Sequence, residues 1–232
     1  MSGIHLSGAV VAQNNETTIG PVLDSLAPHC DEVVVVDGGS TDKTPEIAAA
    51  RPKVRVIHHE FQGNLSVQKN IAFNQCRGDW ILMIDTDELL GGKRVGWLRG
   101  LTRVPGLNWY SIPRYWLVKK DGELHYLSER PYYRDRQLRL FRNLPGFRYD
   151  EEGWPIHHRF LKKTGRGRPL RNPHIYHYAL LLQDRATREG KQDWYLKAEP
   201  DSAHLHRMYL WEDLDPPSRP LPVSPPGILT RP

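Results

Sequence analysis

The sequence predicts an α/β fold: a mostly parallel central sheet with helices on both faces, followed by a smaller mixed or antiparallel region. Three observations carry this expectation. Glu32 to Asp37 reads EVVVVD, a β-branched run of the kind that fills a parallel strand buried on both faces. Short apolar runs alternate with helix-compatible stretches three times across residues 1–90, which predicts right-handed crossovers and a doubly wound sheet. Beyond Gly91-Gly92 the pattern changes to aromatic, alternating segments separated by turn signals.

Each element has its own local reason. Ile4 to Ala12 reads as a first strand, and the polar stretch Gln13 to Thr18 caps a helix running to about His29, with Pro21 tolerated in its first turn. After the second strand, Gly38-Gly39-Ser40-Thr41-Asp42 turns into a helix over Lys43 to Arg51. Val54 to His58 is the third strand. Asn64 to Cys76 follows with apolar Leu65, Val67, Ile71 and Ala72 at helical spacing, and Trp80 to Ile84 is the fourth strand. A short helix is expected around Arg94 to Leu101. Alternating strands are expected over Trp109–Val118, His125–Leu127 and Gln137–Phe141, then an amphipathic helix over Leu180 to Ala198 and a shorter one over Ser202 to Trp211. Residues 212–232 hold seven prolines and few large apolar groups, so they read as a tail without burial of its own. Residues 1–211 then read as one domain, its halves, residues 1–90 and 91–211, dividing near residue 90.

Composition excludes more than it selects. The chain has 232 residues with a net charge of +5, and only Cys30 and Cys76, too few for a disulfide framework or a four-cysteine zinc site. No apolar run reaches the roughly 18 residues of a membrane span, and the first residues lack a leader pattern, so a cytoplasmic protein, or one resting on the inner face of a membrane, is expected. The charge is unevenly placed. Residues 1–90 carry 6 Lys or Arg against 12 Asp or Glu, and the excess of cations lies in 91–171. An acidic half beside a basic one suits a site where carboxylates hold a cation and a cationic wall meets an anionic substrate.

In an open α/β sheet, ligands bind beyond the carboxyl ends of the strands. Here those ends read Ala12-Gln13-Asn14, Asp37, His58-His59 and Asp85-Thr86-Asp87. Two carboxylates at i and i+2 leaving a strand both reach a hard divalent cation, which in turn bridges diphosphate oxygens. The 15 aspartates of this chain predict about one Asp-x-Asp by chance. Asp213-Leu214-Asp215, beside the proline-rich segment and with no strand before it, is that decoy.

The series Val11-Ala12-Gln13-Asn14-Asn15-Glu16, Glu32 to Thr44, Gln68-Lys69-Asn70 and Gly78 to Glu88 resembles family 2 glycosyltransferases in order and spacing. It looks most like the branch with lipopolysaccharide-core β-glucosyltransferases, whose Asp-x-Asp-Glu motif precedes an Arg-Leu-Phe-Arg segment, here Arg139-Leu140-Phe141-Arg142. The resemblance implies the GT-A fold, a Rossmann-like nucleotide-diphospho-sugar transferase fold. It also implies a nucleotide-diphosphate sugar donor, UDP-linked above others, and Mn²⁺ or Mg²⁺. By the same resemblance, Asp37 meets the base or ribose, Ala12 and Glu16 line that pocket, and Lys69 and Asn70 lie near the diphosphate. Asp85, Thr86 and Asp87 reach ribose and metal.

For the metal shell, His177 resembles the distal histidine that completes it, with His157 as the alternative. For the base, Asp150, Glu151 and Glu152 all precede a His157-His158 pair in which His158 replaces the glutamate usual in related enzymes. The acceptor implied is a hydroxyl of a glycan, a lipid-linked saccharide, a protein or a modified nucleic acid, transferred with inversion. Two other readings stand beside this one: a nucleotidyltransferase of similar fold, and a nucleic-acid-binding protein using the basic segment 130–171.

Overall fold

A computed structural model describes residues 5–152, 165–198, 207–222 and 224–227. Strand β1 (Leu6–Ala12) lies between β2 (Glu32–Asp37) and β4 (Trp80–Met83), parallel to both, and β3 (Val54–His58) extends this parallel half beyond β2. The valine run explains the layering. Val33 and Val35 face one hydrophobic layer with Leu6, Val10, Trp80 and Leu82, while Val34 and Val36 face the other with Ala9, Ile81, Met83 and Phe73. Helices α1 (Ile19–Leu26) and α2 (Thr44–Ala49) pack on the first face, and α3 (Leu65–Gln75) on the second. Gly8 permits the close approach of α1: a Cβ there would lie 3.0 Å from Leu26 Cδ2 and 3.1 Å from Val33 Cγ2.

The caps differ from the simplest reading. Asn64 caps α3, its Oδ1 accepting from Ser66 N at 2.9 Å and Val67 N at 3.3 Å. Thr18 makes no side-chain cap to α1, and Asn15 O accepts from Ile19 N instead. The helix ends at Leu26 and a 3₁₀ turn carries the chain to His29, because Pro28 withholds the next amide donor.

Beyond β4 the sheet continues antiparallel. Strand β5 (Glu88–Gly91) is followed by a 3₁₀ turn (Val95–Trp97) and α4 (Leu98–Leu101), then by β6 (Leu107–Lys120), β7 (Glu123–Leu127) and β8 (Arg136–Arg142). The three alternating segments of the sequence are thus strands, with β8 inserted between β4 and β6. Strand β5 lay outside the sequence reading, and so did three further strands. They are β9 (Arg166–Pro169), β10 (His174–His177) and β11 (Ser218–Pro220). Strand β10 pairs antiparallel with β5 and parallel with β6, placing His177 opposite Glu88 and Trp116.

Two expectations change at the C-terminal side. The single helix over Leu180–Ala198 is two helices, α5 (Ala179–Leu182) and α6 (Arg185–Ala198), because Gln183 takes an extended conformation between them. Residues 212–222 and 224–227 also hold more order than their composition suggests. The short helix α7 (Trp211–Leu214) leads into β11, whose Ser218, Arg219 and Pro220 pair with Leu127, Tyr126 and His125 of β7. Further on, the Tyr178 hydroxyl donates to Gly227 O at 2.9 Å. Strand pairing with β7 supplies what apolar burial does not.

Candidate functional site

Asp85, Thr86 and Asp87 leave the end of β4 and border a cavity of about 900 Å³, with Lys69, Tyr149, His177 and Lys191 among its other walls. The carboxylates of this segment fall into two groups. Asp85 Oδ1 lies 2.9 Å from Lys69 Nζ, and its Oδ2 accepts from Arg139 at 2.5 Å. Glu88 is fully buried, and its Oε1 accepts from Arg139 at 2.7 Å and Arg114 at 3.2 Å. Its Oε2 accepts from the Asp85 amide at 3.2 Å. Arg114 also donates through Nε to Asp135 Oδ2 at 2.7 Å, an oxygen that accepts from Trp116 Nε1 at 2.9 Å.

Three carboxylates and three cations therefore alternate through the floor of the cavity, each charge compensated by the next. Such a network is costly to break, since removing one member strands its neighbours in a medium that solvates charge poorly. Burial works to raise the Asp85 carboxyl, but the Arg139 and Lys69 charges prevail and hold it well below the usual carboxylate range.

Asp87 stands apart. Among the described residues no lysine or arginine pairs with it; its Oδ2 lies 3.3 Å from His177 Nε2, and its carbonyl accepts from Tyr178 N at 2.8 Å. Burial again acts to raise this carboxyl, and His177 and Lys191 outweigh it. Trp116 packs edge-on against the His177 ring at 4.2 Å, fixing its plane.

Atoms of Asp87, Glu88 and His177 all lie within 4.8 Å of one another, the one such group of three among the described residues. The set fits a hard divalent cation. Two ligands on adjacent corners of an octahedron with bonds of about 2.1 Å are separated by about 3.0 Å, close to the observed Asp87–His177 spacing. Glu88 is already spent on two guanidinium groups, which leaves Asp87 and His177 as the free donors and the cavity side open to phosphate oxygens.

The other expected residues distribute as follows. Lys69, Asp85, Thr86, Asp87 and His177 line the cavity. Ala12 pairs with Asp37 across β1 and β2, and neither lines the cavity. Asp37 is buried, accepting from the Gly39 and Ser40 amides and lying 3.0 Å from His58 Nδ1, so its carboxylate closes the β2–α2 turn. Glu16 accepts from Lys43 N at 3.2 Å. That same turn supports the cavity-lining Asn14 and Asn15: Asn14 N donates to Ser40 Oγ, and Asn15 N donates to Thr44 Oγ1.

Asn70 is committed to structure. Its Oδ1 accepts from Tyr149 N at 2.8 Å, while its Nδ2 donates to Tyr149 O at 2.8 Å and Glu151 Oε1 at 2.7 Å. Asp150 accepts from Glu152 N at 3.2 Å, and Asp150, Glu151 and Glu152 follow the cavity-lining Tyr149 without themselves lining the cavity. His157 lies outside the described residues. The basic segment is only in part a cationic wall. Arg139 is buried in the network, and Arg148 is tied to Asn74 and Asn143. Arg114, Asp135, Trp116, Lys191 and Tyr195 carried no motif; their convergence depends on strand pairing and on α6.

Comparison with known proteins agrees with this geometry. The family model described as Glycosyl transferase family 2 matches residues 7–149. The lipopolysaccharide core biosynthesis glycosyltransferase LpsC of Rhizobium meliloti is 27% identical over 192 residues, covering 80% of this chain and 68% of LpsC. A TPR repeat-containing protein of Synechococcus elongatus is 27% identical over 213 residues, covering 86% of this chain. An uncharacterized glycosyltransferase of Rickettsia typhi is 38% identical over 85 residues, covering 37% of this chain. The chain spans 50% of the Synechococcus relative and 28% of the Rickettsia one. In fold, it is similar to residues 1–349 of Staphylococcus aureus TarS in complex with UDP, with a TM-score of 0.56 at 18% identity over 91% of this chain and 71% of TarS. The chain, with its mixed α/β sheet and acidic segment at the end of β4, belongs to glycosyltransferase family 2.

Proposed function

We propose that the protein transfers a sugar from a nucleotide-diphosphate donor, a UDP-sugar in the first instance, to an acceptor hydroxyl with inversion, using Mn²⁺ or Mg²⁺. One observation carries the reading: among the described residues Asp87 pairs with no lysine or arginine and meets His177 across 3.3 Å at the cavity, while Asp85 beside it is locked by Lys69 and Arg139. The UDP held by TarS, a protein of similar fold, supports the choice of donor.

In this reading Asp87 and His177 hold the cation, and Asp85 is a fixed carboxylate presented toward the ribose. The cation, when bound, supplies Lewis-acid stabilisation of the diphosphate. The acceptor oxygen bonds to the anomeric carbon as that carbon's bond to the distal phosphate oxygen breaks. The bonding pair remains on the phosphate, and the acceptor proton passes to a carboxylate. Asp150, Glu151 and Glu152 are the candidates for that base. Glu151 is engaged by Asn70, which leaves Asp150 and Glu152 the freer pair. The acceptor is a glycan, a lipid-linked saccharide, a protein or a modified nucleic acid. Among the described residues, no helix is long and apolar enough to cross a membrane. Cytoplasmic placement, or attachment to the inner face of a membrane, belongs to this proposal.

The test is release of nucleoside diphosphate from a panel of nucleotide sugars in Mn²⁺, with Asp87→Asn, Asp150→Asn and Glu152→Gln variants. The proposal expects one donor to be consumed, release to be abolished by Asp87→Asn, and one base variant to lose turnover while keeping donor affinity. Release of pyrophosphate instead would favour the nucleotidyltransferase reading, and consumption of no donor would oppose transfer.

A further inference from the structure

Four side chains that line the cavity carry a fixed positive charge: Lys69, Arg114, Arg139 and Lys191. Three are neutralised within the protein. Lys69 pairs with Asp85, Arg139 with Asp85 and Glu88, and Arg114 with Glu88 and Asp135. Lys191 is different. Among the described residues it has no carboxylate within ion-pair distance; its Nζ instead lies 5.0 Å from the ring centroid of Tyr209 and 5.6 Å from that of Tyr195.

Aromatic faces stabilise an ammonium through their quadrupoles without cancelling its charge. Lys191 is thus a cation held in position and still available to an anion. It lies on the side of the cavity that carries His177: Trp116 packs against both His177 and Tyr209, and the Lys191 ammonium sits over the Tyr209 ring. Asp87, beside His177, is where a bound cation would gather phosphate oxygens.

We propose that Lys191, presented to the cavity by α6, binds the diphosphate of the donor and holds the nucleoside diphosphate as it departs. The inference rests on the glycosyltransferase reading above, and it adds a residue outside the stretch 7–149 matched by the family model. The chemistry is specific. Bond breakage leaves an additional negative charge on the diphosphate, and an ammonium without an internal partner stabilises that charge more than it stabilises the intact donor. Uridine alone, lacking phosphates, gains nothing from it.

The experiment uses the full chain as wild type, Lys191→Met and Lys191→Arg. Each is titrated in Mn²⁺ with UDP, GDP, CDP and ADP, and with the nucleoside of whichever diphosphate binds, by ligand-observed NMR. Lys191→Met is expected to weaken the diphosphate by about tenfold or more, the loss of one charge-assisted contact. It should leave nucleoside affinity unchanged, and Lys191→Arg should restore most of the loss. Undiminished diphosphate affinity in Lys191→Met, or an equal loss for the nucleoside, overturns the assignment of Lys191 while the wild-type titration upholds the donor class. A wild type that binds none of the four diphosphates overturns both together.

Discussion

Replacing Glu88 with glutamine preserves the shape of the side chain and removes one negative charge from between two guanidinium groups. Glu88 is 0% exposed, with Oε1 2.7 Å from Arg139 and 3.2 Å from Arg114. Arg139 keeps Asp85 and Arg114 keeps Asp135, but each loses one of two compensating carboxylates, at the fully buried Glu88 position. Breaking a buried pair from one side costs about 3–5 kcal/mol. For a chain of 232 residues that corresponds to a fall in Tm of about 6–20 °C. Asp87→Asn provides the contrast. Asp87 has no lysine or arginine partner among the described residues and is partly exposed beside His177, so its neutralisation should cost less than that of Glu88. Thermal unfolding at pH 7, followed by circular dichroism, separates the two. A Glu88→Gln protein melting within about 2 °C of wild type would refute the claim that Glu88 holds the floor of the cavity rather than serving as a loose metal ligand.

Other expectations follow from the same contacts. Burial lowers the His174 imidazole from its ordinary 6.5 to about 4, so the folded state holds it neutral where the unfolded chain begins to protonate. Its contribution is complete above pH 6.5 and is lost as pH falls toward 4; His174→Gln should flatten the slope of Tm against pH in that window. The carboxyls of Asp85, Asp87 and Asp135 lie below their ordinary 3.8, so their contribution stays whole through neutral pH and declines only on acidification below that value. Ending the chain at Leu210 removes β11 and the Tyr178–Gly227 hydrogen bond, together with the Arg185–Asp213 and Arg188–Glu212 pairs. A loss of about 2–4 kcal/mol in urea unfolding is expected, and an unchanged midpoint would mark the strand as incidental.

Residues 1–90 were legible because their signals are local. EVVVVD can only be a buried strand, and Asp85-Thr86-Asp87-Glu88 follows a strand that its own apolar residues announce. The later part of the chain was legible where alternation is long, as in β6, and obscure where strands are four residues long and carry histidines or charges, as in β5, β9 and β10. Such strands are made by their partners. His177 acquires its place from pairing with Glu88 and Trp116, residues 89 and 61 positions earlier, and no local pattern encodes that register. The Asp85–Arg139–Glu88–Arg114–Asp135 network is hidden for the same reason. Its members read as two separate segments, Asp85 to Glu88 and Arg139 to Arg142, and two charges without a pattern, Arg114 and Asp135, until β8 is inserted between β4 and β6. Asn70 and Asp37 show the converse. Both sit in recognisable segments, and their polar atoms are taken up by Tyr149, Glu151 and the β2–α2 turn.

The central claim is that Asp87 and His177 form the free half of a cation site, while Asp85 and Glu88 are held by lysine and arginine. Titration of Mn²⁺ in the presence of UDP, read by electron paramagnetic resonance on wild type, Asp87→Asn and His177→Ala, tests it most directly. The account predicts saturable Mn²⁺ binding in the wild type that is lost in both variants, with both remaining folded. Equal Mn²⁺ affinity in the wild type and Asp87→Asn would contradict it.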